Sequence, residues 1–303
     1  MPGLQQLRQR ITTVRSTQKM TRAMHLVSTQ RLRTTRAAIE ATRPYSKRLD
    51  DLLRQICQRM PAVAEQLPLI RGTGREDVHL LVVFTTDRGL CGAMNGNVVR
   101  MVKERIARLE QHGRTARLLC VGRKGRKLLE REHGARIIAT LEHGAHHKIG
   151  FHHAVPIAER ILEHYAEQAF DVCCQYYARF RTILHQPPKA QQLIPTRFSS
   201  LYSEGVEQAA VARGGVAVPI YEPGEREALT RLLPHHITAQ IYRALLENAA
   251  SEEGARVAAT DRATRNAGEL IRKLSLAYNR QRQSAITREI IEIVSGVEAR
   301  HRG

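Results

Sequence analysis

Two long helices bracketing a mostly parallel α/β domain is the architecture this sequence predicts. Three observations carry it: an apolar heptad over Met1 to Met60, a strand-helix alternation between Arg75 and Pro219, and a proline-free helical run from His236 to Ser295. The fold class is α/β, with a long antiparallel coiled coil of N- and C-terminal helices plus a central Rossmann-like α/β domain.

With Leu4 at heptad position a, the a positions read Leu4, Ile11, Gln18, His25, Leu32, Ile39, Ser46, Leu53 and Met60. The d positions read Leu7, Val14, Thr21, Ser28, Thr35, Thr42, Leu49, Ile56 and Val63. Both ends are apolar and the middle is polar. There the apolar side chains shift to Met20, Met24 and Val27, spaced i, i+4, i+7 on a neighbouring stripe, which predicts a change of contact surface. Pro44 falls inside the pattern and predicts a kink or break near Arg43. A helix from Leu4 to about Cys57 would be roughly 80 Å long at ~1.5 Å per residue, too long for a compact domain.

From Val78 the period changes. "VHLLVVFT", "ARLLCVG", "ARIIATLE" and "FDVCCQYYARF" read as strands, separated by the helical segments "NVVRMVKERIARLEQH", "KGRKLLERE" and "AVPIAERILEHYAEQ". Apolar strands alternating with amphipathic helices predict a mostly parallel sheet covered on both faces. "LIPTRF", Leu193 to Phe198, predicts an edge strand, and "SEGVEQAAVARGGVAV" after it reads as a loop.

"YEPGEREALTRLLPHHI" restarts the helical period, with Pro223 near a helix start and Pro234 as a kink. In the run that follows, alanines recur and Gly254 and Gly268 each give up about 1 kcal/mol of helix propensity, which predicts close packing of a partner helix. Two helices too long for their own domain bury their small-residue faces on each other. The segments are 1–60 (N-terminal coiled-coil helix), 75–219 (α/β domain) and 222–299 (C-terminal coiled-coil helix).

Composition narrows the function. The chain has 303 residues, 42% of them hydrophobic, and a net charge of +19, which points to a large acidic partner. Aromatic residues are only 4% and tryptophan is absent, so base-stacking platforms are thinly supplied. Five cysteines, none spaced C-x-x-C, read as buried thiols in a reducing compartment. No stretch approaches the roughly 20 apolar residues of a membrane span.

The loop "TTDRGLCGAMNGN" carries Gly89, Gly92 and Gly96 at the carboxyl end of a strand, where doubly wound folds bind phosphates. Its spacing is neither G-x-G-x-x-G nor G-x-x-x-x-G-K-[ST], so it reads as a docking loop, with Asp87 and Arg88 placed for a partner's charges and Gly89 allowing close backbone approach. A solvated turn is the alternative. Histidines at 143, 146, 147, 152 and 153 lack carboxylate or cysteine ligands at a useful spacing and read as an exposed loop. There is no G-x-S-x-G, and Cys91 has no histidine near it in sequence. No catalytic residue, metal ligand or cofactor site is expected.

Three stretches carry a resemblance. "RITTVRSTQKMTRAMHLVSTQRLR", "TTDRGLCGAMNGN" and "NAASEEGARVAATDRATRNAGELIRKLSLAYNRQRQSAITREIIEIVSGVEA" resemble the signature regions of gamma subunits of F-type ATP synthases, in the family order and over essentially the whole chain. The resemblance implies a non-catalytic central shaft, one copy per complex, on the axis of a hexamer of alpha and beta subunits. The α/β domain would be the foot that meets epsilon and the c-ring. It implies no cofactor and no nucleic acid; with a start at Met1 and no presequence, the expected place is peripheral, on the cytoplasmic face of a bacterial inner membrane. Beta subunits of the family carry an acidic lever facing the shaft, which matches 13 Lys/Arg against 3 Asp/Glu in Met1 to Met60. By residue, it implies partner contacts at Met24, Asp87, Arg88, Gly89, Arg282, Gln283 and Thr287. A shaft that turns in a sleeve needs scattered polar contacts in place of a locking apolar stripe. The rival readings are a basic coiled-coil protein that binds nucleic acid, for which charge is the only support, and a Rossmann enzyme with helical arms.

Overall fold

The computed structural model describes residues 3–142, 149–197 and 224–301. The expected loop from Ser203 to Val218, the helix start at Pro223 and the histidines at 143, 146 and 147 lie outside them. The chain divides into two compact units, one of residues 1–29 and 256–303, the other of residues 30–255. In chain order the elements are α1 (Leu4–Arg59), α2 (Pro61–Ala64), α3 (Pro68–Arg71), β1 (Val78–Phe84), α4 (Met94–Gln111), β2 (Thr115–Val121) and α5 (Arg123–His133). Then follow β3 (Ile137–Leu141), α6 (Val155–Ala166), β4 (Val172–Ala178), β5 (Pro188–Ile194) and α7 (Glu225–His301).

In the unit of residues 30–255 the sheet order is β3-β2-β1-β4-β5, parallel except for β5. From Leu80 on, β1 is apolar on both faces because both are covered. Leu80, Val82 and Phe84 join Leu119, Val121, Ile157 and Ile161 of α6 and Ile237, Ile241 and Leu245 of α7 in one core. Leu81 and Val83 face Val98, Val102 and Ile106 of α4 and Leu129 of α5 in another. This is the period-2 alternation of a strand read twice, once for each buried face.

The edge strand is displaced from its expected place. It runs Pro188–Ile194 and shares only Leu193 and Ile194 with the "LIPTRF" reading. Its polar residues Gln191 and Gln192 pair with Gln175 and Cys174 of β4. An edge strand needs no continuous apolar run, and proline is admitted at its first residue, where no ladder N–H is required. α4 likewise begins at Met94, three residues before the predicted start, and so takes in Gly96.

In the same unit α1 lies antiparallel to α7. Leu49, Leu53 and Ile56 cluster with Leu229 and Leu233, and Leu32 and Ile39 with Leu246 and Ala250. Asp50 accepts from His236, and Arg31 reaches Glu253 at 3.7 Å. Between Pro234 and Ala255 the burial of α7 is nearly all-round, since it is held between α1 and the sheet. Neither proline breaks its helix: α1 runs through Pro44 and α7 through Pro234. Pro44 is exposed, so water can satisfy the Glu40 carbonyl that its missing N–H leaves free.

In the unit of residues 1–29 and 256–303 the pairing is also antiparallel. Thr21 Oγ1 and Thr264 Oγ1 are 2.7 Å apart, and Gln18 Nε2 donates to the Thr264 carbonyl at 3.4 Å. The heptad seam is continuous through the polar middle of α1: from Leu4 to Ser28 every a and d residue is at least half-covered.

Candidate functional site

β1 delivers Thr85, Thr86 and Asp87 to the start of α5. Thr85 Oγ1 donates to the Val121 carbonyl at 3.2 Å and accepts from the Gly125 amide at 2.8 Å. The Thr86 carbonyl accepts from the Lys124 amide at 3.0 Å, and Asp87 Oδ1 accepts from the Arg123 amide at 2.8 Å. The first three amides of α5, which an anion would need, are thus taken by the chain's own β1 end. The glycines serve this packing: a Cβ at Gly122 (φ 101°) would stand 2.3 Å from the Thr85 carbonyl oxygen, and one at Gly125 2.6 Å from Thr85 Oγ1.

Asp87 is therefore turned inward, its side chain 5% exposed. Arg88, Gly89, Leu90, Gly92 and Ala93 are exposed, and Leu90 stands out at 64% exposure with φ 64°. The left-handed glycine is Gly92, at φ 59°, and not Gly89. A Cβ at Gly89 would meet only the tip of Lys124, at 3.9 Å, so the chain's own fold does not require that glycine. Asn95, which the sequence reading passed over, holds the loop shut. Its Oδ1 accepts from the Thr86 amide at 3.1 Å, and its Nδ2 donates to Thr86 Oγ1 at 2.8 Å and to Cys91 Sγ at 3.2 Å. The available signal was an asparagine at a helix start, a residue type that favours such local bonds.

On α1, Met20 and Val27 are 62% and 52% exposed and Met24 is half-buried. The seam stays on the heptad residues, and of this neighbouring stripe Met20 and Val27 are left uncovered. On α7, Arg282, Gln283 and Thr287 are all exposed, and Thr287 Oγ1 donates to the Gln283 carbonyl at 2.9 Å. From Gln283 the spacing i, i+4, i+7, i+11 leads to Thr287, Ile290 and Val294 on one face. Ile286, Ile293 and Val297 flank it, each between 47% and 66% exposed. Leu270 and Leu276 are exposed as well, and from Ile286 onward the exposed apolar residues form a row that the expectation of scattered polar residues without an apolar stripe did not include. The repeating Ile/Val spacing in "ITREIIEIVSGV" was the signal.

Within the unit of residues 30–255, α7 is bonded to the end of β4. Glu247 Oε2 accepts from the Phe180 amide at 2.9 Å, Asn248 Oδ1 from the Ala178 amide at 3.4 Å, and Ser251 Oγ donates to the Ala178 carbonyl at 2.9 Å. All three side chains are buried. A Cβ at Gly254 would stand 2.9 Å from the Phe180 ring, so the glycine admits that ring against α7. The "NAASEEG" stretch is thus a weld between helix and sheet.

His152 and His153 stack with ring centroids 4.0 Å apart, and His153 Nδ1 accepts from the Gly150 amide at 3.0 Å. Among the described residues no group of three or more His, Cys, Asp or Glu gathers as a metal site would. The five cysteines are free thiols, and burial pushes Cys120 and Cys174 up to about 11 each. Among the described residues no helix is long and apolar enough to cross a membrane.

Comparison with known proteins places this architecture. The ATP synthase family model matches residues 3–299. The ATP synthase gamma chain of Mesorhizobium japonicum is 44% identical over 299 residues, covering 99% of this chain and 100% of the relative. That of Beijerinckia indica is 46% identical over the same coverage. Among solved structures, a chain of the Tetrahymena thermophila mitochondrial ATP synthase central stalk and c-ring shares the fold with a TM-score of 0.60 at 23% identity, covering 80% of this chain and 99% of that one. A chain of the Euglena gracilis mitochondrial ATP synthase does so with a TM-score of 0.58 at 19% identity, covering 90% and 95%. The nucleic-acid reading has charge alone behind it, whereas the family match accounts for nearly every residue: the chain belongs to the ATP synthase family, among its gamma chains.

Proposed function

We propose that the chain is the central rotary shaft of an F-type ATP synthase, coupling proton-driven rotation of a c-ring to ATP synthesis at a hexamer of alpha and beta subunits, and the reverse. The observation that carries the reading is the end-to-end match to ATP synthase gamma chains at about 45% identity. Segments 1–60 and 222–299 form the shaft and 75–219 the foot, which meets epsilon and the c-ring. One copy serves each complex, held peripherally on the cytoplasmic face of a bacterial inner membrane.

The chain contributes no catalytic group in this reading. An axle without threefold symmetry inside a threefold ring makes three chemically identical catalytic sites differ in affinity. Because coupling free energies are reciprocal, nucleotide exchange that turns the axle implies that turning the axle drives nucleotide exchange. Torque has to pass between α7 and the sheet, and the buried Glu247, Asn248 and Ser251 bonds are suited to carry it without slip. Arg88, Gly89 and Leu90 present backbone and charge to a partner, while Asp87 supports them from inside. Met24 lies half-buried beside the uncovered Met20 and Val27 of α1, and Arg282, Gln283 and Thr287 lie on the exposed part of α7.

Affinity purification of the tagged chain from native membranes tests the reading. Three alpha and three beta subunits per copy, with ATPase activity in the complex and none in the isolated chain, are expected. Recovery of the chain without them, or ATP turnover by the chain alone, would remove it.

A further inference from the structure

At the amino-terminal ends of β1 and β4 lies a cavity of about 400 Å3 that the shaft function does not use. Arg71, Arg75, Arg105, Arg114 and Arg197 line it, and Glu76 is the one carboxylate among the described lining residues. Glu76 pairs with Arg114 at 2.9 Å, and no other ion pair is made by these arginines among the described residues. Asp171, within electrostatic reach of Arg75, is otherwise engaged: it accepts from Thr73 Oγ1 at 2.6 Å and from the amides of Asp77 and Val78 at 3.0 Å each. Guanidiniums gathered with so little counter-charge repel one another, and an anion among them relieves that repulsion.

His79 is a second, independent sign. It lines the cavity from β1 and is 2% exposed; the Glu76 backbone lies beside the ring, but neither ring nitrogen meets a partner at full hydrogen-bond geometry among the described residues. A buried imidazole with both nitrogens unmet is costly and calls for a ligand atom. Burial, then Arg105 and Arg114, hold its pKa below the ordinary histidine value against the opposing pull of the Glu76 backbone and carboxylate.

We propose that this cavity is a binding site for a polyanionic phosphate group, gripped by the guanidinium forks of Arg71, Arg75, Arg105 and Arg197, with His79 bonded to it from the strand side. Guanidinium pairs bidentately with phosphate oxygens, which lysine cannot reproduce. The volume is at the lower end of ligand pockets, which run from about 300 to 1,000 Å3, so a diphosphate or a phosphoester headgroup fits better than a lone orthophosphate. The source is a free diphosphate or an anionic phospholipid headgroup. The inference goes beyond the shaft function and does not depend on it.

Two probes separate the sources: pyrophosphate, by calorimetric titration of the full chain, and vesicles of phosphatidylcholine with or without phosphatidylglycerol, by co-sedimentation. Saturable pyrophosphate binding that Arg71→Gln with Arg105→Gln weakens about tenfold or more, and that Arg126→Gln on α5 leaves unchanged, supports a free diphosphate. Retention only on phosphatidylglycerol vesicles, with the same pattern across variants, supports the headgroup. Binding of neither probe, or equal weakening by Arg126→Gln, overturns the proposal. Should the double variant fail to fold, the wild-type chain still decides: the ring resonances of His79 must move on titration with the probe that binds, and resonances that stay in place overturn it.

Discussion

At the scale of single residues, the glycines separate what the fold needs from what it leaves open. Gly254 is buried with the Phe180 ring 2.9 Å from where a Cβ would stand, whereas at Gly268 the only obstacle is the Gln18 amide at 3.0 Å, the far end of a flexible side chain. Alanine gains about 1 kcal/mol of helix propensity at either site. At Gly254 the clash with a packed ring costs roughly 1 to 3 kcal/mol, so Gly254→Ala is expected to destabilise by about 1 kcal/mol. Gly268→Ala is expected to stabilise by up to about 1 kcal/mol, because Gln18 can swing aside and its 3.4 Å bond is weak. Urea titration of both variants checks the opposite signs. Gly89 is a third case, exposed and with no close obstacle. Gly89→Val should therefore leave the chain's own stability within about 0.5 kcal/mol of wild type while lowering coupled ATPase activity in the complex. A fully active complex carrying this variant would return the loop to a solvated turn.

At the scale of elements, the heptad of α1 was legible from end to end because its a and d residues stay covered even where they are Gln18, Thr21, His25 and Ser28. A seam is geometric: apolar residues at both ends fix the 3.5-residue register, and polar residues between them are carried along. The strands were legible for a similar reason, since burial on both faces writes an unbroken apolar run. β5 was misplaced because an edge strand is written in backbone pairing, to which Gln191 and Gln192 serve as well as valine. The inward turn of Asp87 was not legible, because a carboxylate after a strand looks the same whether it faces a partner or a helix amide nine-tenths out of solvent. The seam also allows a test within one unit. Thr21 and Thr264 stand with hydroxyls 2.7 Å apart, so Thr21→Cys with Thr264→Cys should form a disulfide inside a single chain under mild oxidation. Gel mobility before and after reduction reads this out, and cross-linking only between two chains would refute the antiparallel pairing.

At the scale of the whole molecule, a shaft has to be held firmly to its foot and loosely by its sleeve, and the chemistry of α7 changes accordingly along its length. Glu247, Asn248 and Ser251 are buried and hydrogen-bonded to β4, whereas Arg282, Gln283 and Thr287 are exposed and followed by an uncovered face of Ile290 and Val294. Buried polar bonds resist rearrangement because breaking one strands its partner without water, and exposed ones exchange with water at little net cost. If Arg282 and Gln283 meet a sleeve, an arginine fork on a carboxylate contributes roughly 1.5 to 3 kcal/mol and a neutral amide bond about 1 kcal/mol. That is enough to favour one rotary orientation and small enough to be released at every step. Arg282→Ala with Gln283→Ala is accordingly expected to leave folding and assembly intact, since neither side chain is covered by the chain itself. Loss of about 2.5 to 4 kcal/mol from one orientation should slow steady-state ATP hydrolysis and ATP-driven proton pumping in parallel, at an unchanged ratio of protons to ATP. Both rates would be measured on purified complexes of the double variant. Wild-type rates would make these residues plain surface, and a complex that does not assemble would make them an anchor in place of a rotary contact. A fall in pumping without a matching fall in hydrolysis would place the fault in coupling and contradict the orientation argument.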